Sequence, residues 1–179
     1  MYIPTFRRKT TGLDYVDNAY EIKKETMNLV SRLSTRWLRI YQQPIDRLAC
    51  FQCDFVMMAY SIIPTNYEEF IMRRLYLKMS RSIFQALEKR IMDVVEALYS
   101  NPTKVFNRKN GKNYSYREAV KKLDEKLEDL GVKYGRQYKL IKGVLNNNNK
   151  KYKDLKRKDI DDTLVIKNIG IDLVKVLLI

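Results

Sequence analysis

Apolar positions along the chain fall into four long stretches with helical spacing. In the first, about Asp14 to Gln42, Ala19, Ile22, Leu29, Leu33, Trp37 and Ile40 recur at intervals of three, four or seven, while Arg32, Arg36 and Arg39 share another face. Pro44 stands where a first helical turn tolerates proline. It predicts a second helix to about Ile63, carrying Leu48, Phe51, Phe55, Val56, Met57, Ala59 and Ile62. Apolar nearly all round, that helix is expected at the centre of the fold. Pro64 disfavours helix at Ile63, and Asn66 followed by Glu69 reads as an N-cap with its capping-box partner. The third helix starts there and reaches about Tyr99, where Asn101-Pro102 stops it. Its predicted core stripe is Leu75, Met79, Ile83, Leu87, Ile91, Val94 and Leu98.

A basic loop, Lys104–Lys112, precedes a second capping box at Ser115 and Glu118. The fourth helix has the most regular period of all. Tyr116, Val120, Leu123, Leu127, Leu130, Tyr134, Tyr138, Ile141 and Leu145 follow in steps of three and four, as along a coiled-coil seam. Asn146–Asn149 is expected to end it. The tail "TLVIKNIGIDLVKVLLI" fits strands or a short amphipathic helix and reads as a docking segment. With no alternation of strands and helices, the economical fold is an all-α antiparallel up-and-down four-helix bundle with a basic C-terminal extension. Residues 1–13 form an N-terminal arm, 14–145 the bundle, and 146–179 a basic linker with an apolar tail.

Charge adds a partner class to this picture. The 179 residues carry a formal net charge of +14, which favours polyanions first and anionic membrane surfaces second. From Lys133 to Lys158, ten Lys and Arg face the single acid Asp154. In the third helix Arg74, Lys78, Arg81 and Lys89 keep to one side. An AT-rich coding sequence would also enrich lysine, so the positions matter more than the total. Acids early in the fourth helix and bases late also complement the helix dipole, which explains their order but not the surplus.

The chain has no histidine, which removes imidazole acid–base chemistry, His-activated nucleophiles and histidine metal sites. Cys50 and Cys53 form a CxxC with apolar flanks and no second ligand pair. They read as small hydrophobes within a helix rather than a redox or metal site. Glu125 and Asp129, four apart, are the best carboxylate pair for a divalent ion, but a solvated helix face explains them as well. No catalytic residue, metal site or cofactor is assigned. The N-terminus "MYIPTFRRKT" lacks an apolar signal core and no stretch has the length of an uncharged membrane span, so a cytoplasmic location without membrane contact is expected.

In "LEDLGVKYGRQYKLIKG", Gly131 and Gly135 interrupt good helical spacing, at about 1 kcal/mol each relative to alanine. Helix packing is the expected reason, by close approach of a helix from this chain or another subunit, with a local irregularity as the other reading. Tyr134 and Tyr138 lie on the apolar seam, and beside those bases they also suit stacking on unpaired bases.

A long first helix, a Pro-started second, an "RRLYL" entry into a long third, and a last helix with "LGVKYG" before aromatic and basic residues together resemble a known four-helix-bundle family. It comprises the accessory variability determinant proteins of diversity-generating retroelements and the proteins encoded in ribosomal RNA intervening sequences. The resemblance covers about residues 14–145. It implies a ring-like homopentamer without catalytic activity that binds a reverse transcriptase and its structured template RNA in mutagenic cDNA synthesis. Carried onto this chain, the implied contacts are Arg74, Lys78, Arg81, Lys89, Arg90, Lys133, Arg136, Lys139 and Lys142. The alternatives are a structural oligomerisation module, or a ribosomal-RNA-associated bundle with no reverse transcriptase partner.

Overall fold

The computed structural model describes residues 14–110 and 114–152, apart from the side chains of 107–110. The N-terminal arm, the 153–179 tail and residues 111–113 of the expected basic loop lie outside the described residues. The described chain is all-helical: α1 Asp14–Val30, α2 Thr35–Ser61, α3 Tyr67–Tyr99, α4 Pro102–Asn110 and α5 Tyr116–Lys151. The long helices pack α1 on α2, α2 on α3, and α5 against both α1 and α3, with α4 on α5. Their main core cluster runs from Ile22, Val30, Ile45 and Phe84 through Leu87, Leu98 and Leu123 to Tyr134, with smaller clusters around Val56, Leu77 and Ile141 and around Phe70 and Tyr152.

Both expected caps form. Asn66 accepts from the Glu69 backbone N–H at 2.9 Å, and Glu69 reaches one residue past its cap, accepting from the N–H and the hydroxyl of Thr65. Ser115 and Glu118 close a reciprocal capping box on α5. Each cap satisfies N–H groups that the first helical turn leaves without partners.

The first two helices divide differently from the expectation. α1 stops at Val30, and the tight turn Arg32 N–H to Leu29 O and Leu33 N–H to Val30 O points Leu33 into the core at 2% exposure. Ser34 then takes an extended conformation and opens α2. Pro44 therefore lies inside α2 rather than at its start. It is exposed, so the Ile40 carbonyl left without an N–H partner is on the solvent side, where water compensates the loss. The break also rotates Ile40 outward, to 53% exposure.

Three further expectations are corrected. Residues 104–110 of the expected basic loop are helix: Pro102 ends α3 and also begins α4, whose Val105 and Phe106 are buried. Asn146–Asn149 does not end α5. Asn148 is buried, and the helix continues until Tyr152 packs against Tyr67, Phe70 and Ile71. Finally, α2 is not central, since Phe51, Met57, Met58 and Tyr60 reach solvent.

The α3 stripe holds at Leu87, Ile91, Val94 and Leu98, but the buried line before it is Leu77, Ser80 and Phe84, with Leu75, Met79 and Ile83 half-buried. Successive steps of four residues each advance about 40° round a helix, and that drift carries Leu75 off the buried line. No described helix is long and apolar enough to cross a membrane.

Candidate nucleic-acid interface

Three contacts fix how α3 and α5 lie against each other: Phe70 on Tyr152, Phe84 on Tyr138 and Tyr99 hydrogen-bonded to Asp124. Residue numbers rise along one helix as they fall along the other. In this register Lys142 comes level with Arg81, and Gly135 with Leu87. Tyr138 marks the seam itself, because its hydroxyl donates to Glu88 at 2.9 Å and Arg81 is near enough to act on it electrostatically.

Arg74, Lys78, Arg81 and Lys89 continue the Glu88 side of α3, so they flank this seam. Lys139 and Lys142 follow Tyr138 on the α5 side. Lys78, Arg81, Lys89, Lys139 and Lys142 are exposed and Arg74 is half-exposed. Among the described residues none of the six forms an ion pair within 4.0 Å. The structure thus gathers six of the nine expected cations along one flank.

The other three point elsewhere. Lys133 turns toward α1, pairing with Glu25 and, at 2.8 Å, with Asp129. Burial alone would lower its pKa, but the hydrogen bonds to Asp129 and Glu25 outweigh that effect and hold it above the ordinary lysine value. Arg136 lies 3.9 Å from Asp14, also on the α1 side. Arg90 is on a different face of α3 from its neighbour Lys89, and is 3.7 Å from Asp93. Periodicity identifies which helix a cation is on, but the acids of α1 that neutralise Lys133 and Arg136 are over 100 residues away in sequence.

Among the described residues no helix comes close to the glycines. Gly131 and Gly135 are exposed, and a Cβ added at either meets nothing within 4 Å. They leave the wall of α5 low on the side toward the cationic flank.

Tyr134 belongs to the core. It is 5% exposed, its ring lies tilted against Phe84 with centroids 4.5 Å apart, and its hydroxyl lies 3.5 Å from the Thr26 hydroxyl; burial raises its pKa. Tyr138 is half-buried with its ring edge on Phe84. Burial and the Glu88 carboxylate push its phenol up to about 12. Cys53 is buried and Cys50 half-buried, both free, and burial pushes the Cys53 thiol up, which disfavours the reactive thiolate. Among the described residues no three carboxylates or cysteines converge as a metal site would require.

The sequence reading missed the polar ties that hold these helices in register: Asn18 to Gln137, and Ser80 to the Gln52 carbonyl at 3.1 Å. Their signal was weak, single amides and a hydroxyl on otherwise apolar faces. Comparison with protein-family models, curated proteins and solved structures finds no match for this chain.

Proposed function

We propose that this protein is a non-enzymatic binding module that docks RNA by its phosphate backbone along the α3–α5 flank. The observation that carries the reading is the gathering of Arg74, Lys78, Arg81, Lys89, Lys139 and Lys142 around the single carboxylate of Glu88, none of the six in an ion pair within 4.0 Å among the described residues, while the bases that face α1 are paired. Lysine and arginine in such a row neutralise phosphates without reading base edges, so recognition is by charge and shape. The low wall at Gly131 and Gly135 lets a backbone approach α5 closely.

On this reading the scaffold is an antiparallel four-helix bundle of α1, α2, α3 and α5, extended by a basic C-terminal segment. The resemblance of its last helix to the retroelement accessory family supplies the finer proposal: a homo-oligomeric accessory subunit of a reverse transcriptase, holding template RNA during mutagenic cDNA synthesis.

The test is RNA affinity against salt. With about five phosphate contacts, the logarithm of affinity should fall against the logarithm of salt with a slope of roughly −3.5 for single strands, so a fourfold rise in salt weakens binding on the order of 100-fold. A flat salt response overturns the RNA reading. The reverse transcriptase part is tested separately, by co-purification with a retroelement reverse transcriptase and its template RNA. RNA binding without that partner would leave the module reading and remove the accessory one.

A further inference from the structure

The outward side of α2 carries a row of apolar groups that no described element covers. Ile40 is 53% exposed, Phe51 and Met58 are each 37% exposed, and Pro44 is exposed with them. Offsets of four, seven and seven residues place these four on one strip of the helix. Ile45, Ala49, Gln52 and Val56 are buried on the opposite side, so the strip faces directly away from the core. A soluble surface seldom gathers large apolar side chains in a line without a partner.

Two charges interrupt the strip in the same register. Arg47 and Asp54 are both exposed, two helical turns apart, about 10 Å at 1.5 Å per residue. Among the described residues neither forms an ion pair within 4.0 Å. Lys23 of α1 is near enough to Asp54 to act on it electrostatically, but from the flank rather than along the strip.

Reading along α2, the order is Ile40, Pro44, Arg47, Phe51, Asp54, Met58. Turned end for end about Phe51, this order is complementary to itself: Arg47 meets Asp54, Pro44 meets Met58, and Phe51 meets its own copy. A parallel arrangement instead sets Arg47 against Arg47 and Asp54 against Asp54. An unrelated apolar peptide would leave both charges without partners.

We propose that the outward strip of α2 is an interface with a second copy of this chain. The two α2 helices run antiparallel about a two-fold axis near Phe51, and Arg47 of each chain pairs with Asp54 of the partner subunit. Such an isologous contact uses one surface twice and closes at two copies, unlike the head-to-tail contact that a five-membered ring needs. The strip is on a different helix from the cationic flank, so the inference does not rest on the RNA reading.

The test uses the full chain and its mass in solution, by sedimentation velocity at high micromolar concentration. The wild type is expected at twice the 21.4 kDa chain mass. Arg47→Glu places Glu against Asp54 twice, and Asp54→Arg places Arg against Arg47 twice, so each variant alone weakens the pair at least about tenfold and sediments as a monomer. Mixing the two in equal amounts restores opposite charges at both contacts, and the double mass returns. That recovery separates a lost contact from a lost fold. A monomeric wild type overturns the proposal, including one in which the tail of the same chain covers the strip. So does an assembly whose mass neither variant changes, or a mixture that stays monomeric.

Discussion

The side-chain amide of Asn18 donates to Gln137 Oε1 at 2.8 Å across the buried contact between α1 and α5. The same amide also donates to the Lys133 carbonyl at 3.0 Å, and Gln137 Nε2 donates to the Tyr15 carbonyl at 3.0 Å. Asn18 is 3% exposed and Gln137 fully buried, so water cannot replace these bonds. A slip of α5 by one turn against α1 would break all three. The pair therefore fixes the register that turns Lys133 and Arg136 toward the acids of α1 and leaves Lys139 and Lys142 facing α3.

Gln137→Leu should lower stability by about 2–4 kcal/mol, because it strands buried polar groups on α1. The double variant Asn18→Leu/Gln137→Leu should cost less than the sum of the two single changes, since removing both partners leaves fewer groups unsatisfied. Denaturant unfolding measures both. Additive costs would contradict the coupling.

Gly131→Ala and Gly135→Ala should each stabilise the protein by roughly 0.4–1 kcal/mol. The added methyl meets nothing within 4 Å, and alanine gives the unfolded chain less freedom to lose. Thermal unfolding is the check. A drop in Tm would mean that the glycines are needed for a close contact with a segment other than the described helices of this chain.

Alkaline pH should weaken the fold through its buried phenols. Burial, together with the Glu88 carboxylate, pushes Tyr138 up to about 12 from an ordinary 10.0, and burial raises Tyr134 as well. A phenol whose folded pKa is raised favours the protonated folded state. Its stabilising contribution is complete below about pH 10 and is lost as pH rises toward 12. Titrating tyrosinate absorbance should reveal a late-ionising group, smaller by one tyrosine in Tyr138→Phe. Uniform titration near pH 10 in the intact fold would contradict this.

Much of the fold was legible in the sequence, and the exceptions share a cause. Caps were readable at Asn66 and Ser115 because they depend on residues three apart. The α5 seam held at Leu123, Leu130, Tyr134 and Ile141 because its alternation of threes and fours was nearly strict. The break at residues 31–34 was hidden because Leu33 continues the apolar period while it turns inward, and Pro44 offered a stronger but misleading start signal. Pro102 likewise signalled a stop to α3, while its second role as the first residue of α4 depended on Val105 and Phe106 finding the core. The cations were located on the right helices, but their division between a paired and an unpaired flank depended on Glu25 and Asp14, which only the tertiary packing brings near.

Tyr152 marks how far the bundle reaches beyond the asparagine run. Buried against Tyr67, Phe70 and Ile71, it holds the end of α5 to the start of α3, and Tyr152→Ala should cost about 2–4 kcal/mol. Hydrogen exchange should accelerate in the last turns of α5 and the first turn of α3 together. Acceleration confined to α5 would contradict the contact.

The cationic flank is tested most directly by comparing two variants for RNA affinity in the same buffer. One carries Arg74→Glu, Lys78→Glu, Arg81→Glu and Lys142→Glu; the other carries Lys133→Gln and Arg136→Gln, which change bases already engaged by α1. The account predicts that the first loses on the order of 100-fold or more in affinity and flattens the salt slope by about 3, while the second stays within about threefold of wild type. Equal losses in both variants, or no loss in the first, would contradict it.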